Sequence, residues 1–179
     1  PLPGILAVKK IARFGRYLFK YRAAITAVFF ILLGFLAQPL SSTIAHISVI
    51  IGIGIRLWAA GYIGPEARKQ EFSAEFRIVN GPFRIIKHPL YVGNFFLVLG
   101  VTILYNPPRY LGILYIILYI TMYALIVVSE SEYLKGKPGV ISSYKFSNLK
   151  GEVSTLLVLA VIYALWFVLA RCTLPGFSQ

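Results

Sequence analysis

Residues 110–129 read YLGILYIILYITMYALIVVS, an uninterrupted run without a single charge. A bilayer's hydrocarbon core is about 30 Å thick, and about twenty apolar residues cross it as a helix. This run meets that requirement and stops at Glu130. The same reading extends outward on both sides. Downstream, residues 153–170 form another such block. Upstream, residues 89–105 stop at Asn106-Pro107-Pro108. That block is short for a full crossing, which fits a helix that tilts little or starts below the surface. Residues 43–64 and 22–40 give two further spans, separated only by the short Ser41-Ser42-Thr43 link. The expected fold is all-α: an integral membrane bundle of about five transmembrane helices, forming one domain over residues 1–179. Composition agrees, with 58% hydrophobic residues and a mean hydropathy of +0.76, where soluble domains hold about 45–50% apolar residues.

The first 21 residues alternate basic and apolar positions. Lys9, Arg13, Arg16 and Lys20 fall near one helical face, away from Ile11, Phe14 and Leu18. This is the pattern of an amphipathic helix lying in the membrane interface. A plain basic flank of the first span would read the same way. The lone cysteine, Cys172, allows no intrachain disulfide. With no CxxC and no histidine cluster, no metal site is expected.

The net charge is +12. Nucleic-acid binding is not expected, because the cations lie between apolar blocks and do not form a basic soluble domain. Lys9, Lys10, Arg13, Arg16, Lys20 and Arg22 precede the first span. Arg68, Lys69, Arg77, Arg84 and Lys87 lie between the second and third, and Lys135, Lys137, Lys145 and Lys150 between the fourth and fifth. In a five-span arrangement all of these share one side, which the positive-inside rule makes cytosolic. The N-terminus is then cytosolic and the C-terminus outside. There is no aspartate, and the glutamates (Glu66, Glu71, Glu75, Glu130, Glu132 and Glu152) fall in or beside the two later segments of that side. Polar chemistry is therefore expected at that surface, among membrane lipids. A channel or proton pump would more often hold ionisable groups at mid-membrane.

Within the polar segment before the third span, residues 81–93 read GPFRIIKHPLYVG. Asn80-Gly81-Pro82 is a turn signal. Pro89 suits the first position of a helix and places His88 at its N-cap. The helix end offers free N–H groups to an anion, and Lys87 and Arg84 add charge there. Gly93 and Gly100 share a face and would let a ligand or another helix approach closely. A capped helix with glycine packing explains the same pattern.

This stretch resembles the signature of the membrane methyltransferases, the superfamily of isoprenylcysteine carboxyl methyltransferase and the bacterial phospholipid methyltransferases. The resemblance rests on Gly81-Pro82-Phe83 followed by Lys87-His88-Pro89-Leu90-Tyr91-Val92-Gly93. It is extended by Arg56–Ile63 upstream and by Glu130-Ser131-Glu132-Tyr133-Leu134 downstream. Three departures stand out. Lys87 replaces the usual arginine and lacks its two-pronged fork. The adjacent glutamate pair is split as Glu130 and Glu132. Pro138-Gly139 stands where Phe-Gly is usual, with only Tyr144 after it.

The resemblance implies S-adenosylmethionine as cofactor. It implies methyl transfer to a lipidic or prenylated acceptor, such as a prenylcysteine or an aminophospholipid headgroup. The cofactor-binding candidates are Gly81, Lys87, His88, Pro89, Tyr91, Gly93 and Glu130. The catalytic candidates are Glu130 and Arg56, with Arg56 and Glu132 toward the substrate. The sulfonium is a cation and favours a carboxylate and aromatic faces such as Tyr91. Glu130 closes an apolar helix, where the dipole disfavours an anion, so a cation must offset it. A lysine or Arg56 would serve, as would the cofactor. Arg56 itself could snorkel to the headgroups. Two other functions suit the scaffold: an NADPH-dependent membrane reductase related to the sterol reductases, and a non-catalytic membrane subunit.

Overall fold

Helices form wherever the sequence is apolar for long enough, and the chain is an all-α membrane bundle. The computed structural model describes residues 3–64 and 74–173; the side chains of residues 3–10, 12 and 173 fall outside that description. Glu66, Arg68, Lys69 and Glu71, expected on the polar side, lie outside the described residues. The elements are α1 (Pro3–Phe35), α2 (Thr43–Ile63), β1 (Arg77–Ile78), α3 (Pro82–Ile85), α4 (Pro89–Tyr105), α5 (Arg109–Tyr133), β2 (Gly139–Val140), a 3₁₀ helix (Phe146–Glu152) and α6 (Val153–Thr173). Four helices carry spans long and apolar enough to cross a membrane: Arg13–Phe35 in α1, and those of α2, α5 and α6. The fifth, α4, has 17 residues, about 25 Å of helix, and is shorter than the bilayer core.

Of the two readings open for the first 21 residues, the structure has the one in which they are continuous with the first span: α1 runs unbroken from Pro3 to Phe35, with no proline between Pro3 and Pro39. Gly15 lies against Leu125 and Ser129 of α5. At the other end, Phe35 and Leu36 border Leu111. The segment from Gly15 onward is therefore an antiparallel partner of α5 along nearly its whole length.

At the centre, α4 serves two apolar cores. Leu97, Val101 and Leu104 pack with Ala45 and Val49 of α2 and with Leu159 and Trp166 of α6. Val98 joins Phe19 and Leu33 of α1 and Tyr115, Tyr119 and Ile126 of α5. The α2–α4 contact is close because small residues meet there. A Cβ on Gly93 would stand 2.6 Å from Arg56 Cγ and 3.0 Å from the Gly52 carbonyl oxygen; one on Gly100 would stand 2.7 Å from the Ala45 carbonyl oxygen. Of the two readings open for these glycines, the approach of another helix is the one observed.

At the far end from His88, Trp166 Nε1 donates to the Leu104 carbonyl at 3.0 Å and the Tyr105 hydroxyl to that of Ile162 at 3.0 Å, tying α6 to α4. At the near end the two polar segments are stitched together. β1 and β2 pair in parallel, Arg77 opposite Gly139. The Asn80 side chain bonds both the N–H and the carbonyl of Ser142, at 2.9 and 2.7 Å. Ser142 Oγ donates to the Tyr62 carbonyl, and Lys145 N–H to that of Gly61. These bonds fix a cap over the end of α2.

Candidate functional site

The site begins where the cap meets α4. His88 is the N-cap residue of α4 and Pro89 its first helical residue, as the dipeptide predicts. The His88 side chain makes no capping bond. It turns instead toward the last turn of α5. There Nδ1 lies 3.0 Å from Glu130 Oε2 and Nε2 lies 3.3 Å from Ser131 Oγ. One residue of helix thus addresses one ring nitrogen and the next residue addresses the other. Tyr91, three residues on and so on the same helical face, stacks on the imidazole at 5.6 Å and 10°. The Tyr91 side chain also lies against the Glu130 carboxylate. An aromatic wall continues from it: Tyr91 meets Tyr123 edge-on at 5.2 Å, and Tyr123 stacks on Tyr119 at 4.4 Å.

Glu130 Oε2 is buried yet has no hydrogen-bond partner. His88 Nδ1 is close to it in distance, but the contact is not aligned as a hydrogen bond. A buried carboxylate oxygen without a donor is costly. This one borders a cavity of about 1170 Å³. The cavity reaches from the polar cap down between α1 and α6, with α4 as its floor.

Arg56 takes a different partner from those considered on sequence. Its guanidinium does not snorkel to a headgroup and does not pair with Glu130. Nε donates to Glu152 Oε2 at 2.9 Å and Nη2 to Oε1 at 2.9 Å. Nη2 also reaches Thr155 Oγ1 at 3.3 Å, and Nη1 donates to Asn94 Oδ1. Asn94 in turn donates to the Tyr123 hydroxyl at 3.2 Å. A polar chain therefore crosses from α6 through α2 and α4 to α5.

Of the residues singled out in the sequence, Arg56, Lys87, His88, Pro89, Tyr91 and Glu130 line the cavity. Gly81, Gly93 and Glu132 are not among its lining residues. Gly81 adopts φ 59° and packs against the Tyr62 ring, where a Cβ would stand 2.6 Å away, so it shapes the turn. Gly93 is in the α2–α4 contact. Glu132 is exposed. Because α5 stays helical to Tyr133, Glu130 and Glu132 point to different sides, as helical geometry requires of residues two apart. Sequence reading missed Asn94, Tyr119, Tyr123 and Glu152. Asn94 carried one signal, an amide inside an apolar run. Glu152 carried another, a carboxylate directly abutting the last span.

The sequence profile of the phospholipid methyltransferase family matches residues 40–137, a little over half of the chain. The match takes in Arg56, the 81–93 stretch and Glu130, and leaves out α1 and α6. No curated protein and no solved structure matches the chain.

Proposed function

The chain belongs to the phospholipid methyltransferase family, and from that premise we propose that it transfers the methyl group of S-adenosylmethionine to a lipidic acceptor. The transfer takes place at the basic end of the bundle, which the positive-inside rule places in the cytosol. The observation that carries this reading is Glu130 Oε2, buried at the cavity without a hydrogen bond and flanked by His88 and Tyr91. A carboxylate oxygen so placed attracts a cation in the cavity.

The residues present fit the cofactor. When bound, S-adenosylmethionine supplies an electrophilic methyl on a cationic sulfur, and that charge is gone once the methyl has left. Glu130 and the faces of Tyr91 and Tyr123 favour the cation before transfer. Lys87, beside the N-terminus of α4, suits the amino-acid carboxylate. His88 braces Glu130 and Ser131 and holds the Tyr91 ring in register. For an amine acceptor a proton must leave as the new C–N bond forms, and Glu130 is the carboxylate placed to take it. A carboxylate acceptor needs no base. The apolar lower cavity excludes water from the reacting atoms.

Thermal unfolding of the purified protein in detergent tests the reading. S-adenosylhomocysteine should raise the transition temperature and NADP should not. Radiolabelled methyl should then appear in a lipid extract incubated with the protein. Stabilisation by NADP alone would favour the reductase, and stabilisation by neither would leave a non-catalytic scaffold.

A further inference from the structure

The polar chain from α6 to α5 has a direction. A guanidinium can only donate, and Arg56 donates to Glu152 on one side and to Asn94 Oδ1 on the other. The Asn94 amide is thereby oriented, its oxygen toward Arg56 and its nitrogen toward α5. Asn94 Nδ2 donates to the Tyr123 hydroxyl oxygen at 3.2 Å. Tyr123 is the acceptor in this bond, so its own hydrogen must be given elsewhere. Four residues earlier on α5, Tyr119 stacks on Tyr123 at 4.4 Å and sets its hydroxyl beside it. Tyr119 is 4% exposed, and its hydroxyl oxygen is buried without a hydrogen-bond partner.

Counting hydrogens leaves one over. If Tyr119 donates to Tyr123, the Tyr123 hydrogen is unmatched; if Tyr123 donates to Tyr119, the Tyr119 hydrogen is. In both cases the pair presents one O–H without an acceptor among the described residues. Asn94, Tyr119 and Tyr123 line the cavity. Tyr123 lies seven residues before Glu130 on the same helix, about 10 Å farther from the polar cap. Its surroundings there are apolar: Leu97, Val98 and Val101 of α4 share the lining, and Val98 packs in one core with Tyr119. A donor left unpaired among such walls is costly, so a ligand that brings an oxygen to this level is favoured. Arg56 is already matched by Glu152, and an anion here would lack a cation of its own. The oxygen that fits is therefore neutral, and a carbonyl is a better acceptor than an ether.

We propose that Tyr119 and Tyr123 form a specificity-determining donor site for the carbonyl oxygen of an ester- or amide-linked chain. Asn94, Arg56 and Glu152 are the positioning residues that set its polarity. The ligand is the methyl acceptor under the reading proposed above, on which that identification rests. The site separates carbonyl-linked acceptors from ether-linked and prenylated ones, whose chains bring no carbonyl to this depth.

Native mass spectrometry of the purified protein in neutral detergent tests this with two lipids of one headgroup and one chain length, dioleoyl phosphatidylethanolamine and its dialkyl ether analogue. The ester lipid should bind about fivefold more tightly, the scale of one hydrogen bond. Tyr119→Phe/Tyr123→Phe keeps both rings and removes both hydroxyls; the ratio of the two affinities should fall to about one. Asn94→Asp keeps the size and reverses the bond, because a carboxylate there accepts the Tyr123 hydrogen and leaves none for the ligand. It should bring the ratio to about one as well, whereas general damage to the fold would weaken both lipids alike and keep the ratio. Equal binding of the two lipids by the parent protein would overturn the inference, and so would an ester preference that survives either variant. Loss of S-adenosylhomocysteine affinity in Tyr119→Phe with the ester preference intact would give the hydroxyl to the cofactor and overturn it too. An ester preference that the tyrosine variant abolishes, in a protein that binds no S-adenosylhomocysteine, would uphold the donor site and remove the methyltransferase reading instead.

Discussion

Arg56 on α2 and Glu152 at the start of α6 form a two-pronged ion pair, Nε to Oε2 and Nη2 to Oε1 both at 2.9 Å, with side chains 12% and 3% exposed. They are 96 residues apart in the chain. The pair ties the start of α6, one wall of the cavity, to α2.

Removing one partner leaves a buried charge uncompensated, which typically costs about 3–5 kcal/mol. Glu152→Ala should therefore lower the unfolding temperature in detergent sharply. Arg56→Met/Glu152→Leu, which removes both charges, should recover most of that loss. A double variant as unstable as Glu152→Ala would show that Arg56 and Glu152 matter through other contacts.

Gly93 separates packing from ligand binding. Its added Cβ would meet Arg56 Cγ at 2.6 Å, whereas nothing lies within 4 Å of one on Gly54. Gly93→Ala should cost about 1–3 kcal/mol through overpacking. Gly54→Ala should cost nothing, and helix propensity favours it by about 1 kcal/mol. Chemical unfolding of the two variants side by side measures the difference.

Glu130→Gln preserves shape and removes the charge beside His88. It should lower methyl transfer into extracted lipid at least about tenfold, the scale of one lost charge-assisted hydrogen bond. Glu132→Gln, exposed and off the cavity, should leave transfer near the parent rate. Equal activity in the Glu130 variant would reduce this carboxylate to a structural partner of His88.

The positive-inside rule predicts the orientation from the charge distribution, and direct labelling tests it. Cys172 is exposed near the end of α6, so an impermeant thiol reagent added to intact cells should modify it. In a Cys172→Ser background, Lys150→Cys should stay unlabelled until the membrane is opened. Labelling of that cysteine from outside would invert the bundle.

What the sequence determined by itself is whatever depends on neighbours in the chain. An uncharged run such as residues 110–129 must be helical in a bilayer, because no water is present to satisfy its backbone. Pro89 fixes the start of α4 and makes His88 its cap for the same local reason. The two-residue spacing of Glu130 and Glu132 already sends them to different sides of a helix. The tertiary structure decided whatever depends on which helix faces which. Arg56 had several possible partners in sequence, and only the rotation of α2 against α6 selects Glu152. Gly93 permits a ligand or a helix equally, and the helix that arrived was α2. The start of α1 reads as interfacial in isolation, yet α5 offers Gly15 a surface to pack on and the rod continues. The cavity between α1 and α6 has no sequence signature, because it is bounded by faces that fail to meet. Hydropathy and periodicity record which faces of a helix are apolar; apolar faces turned to lipid, to protein or to a bound chain read alike.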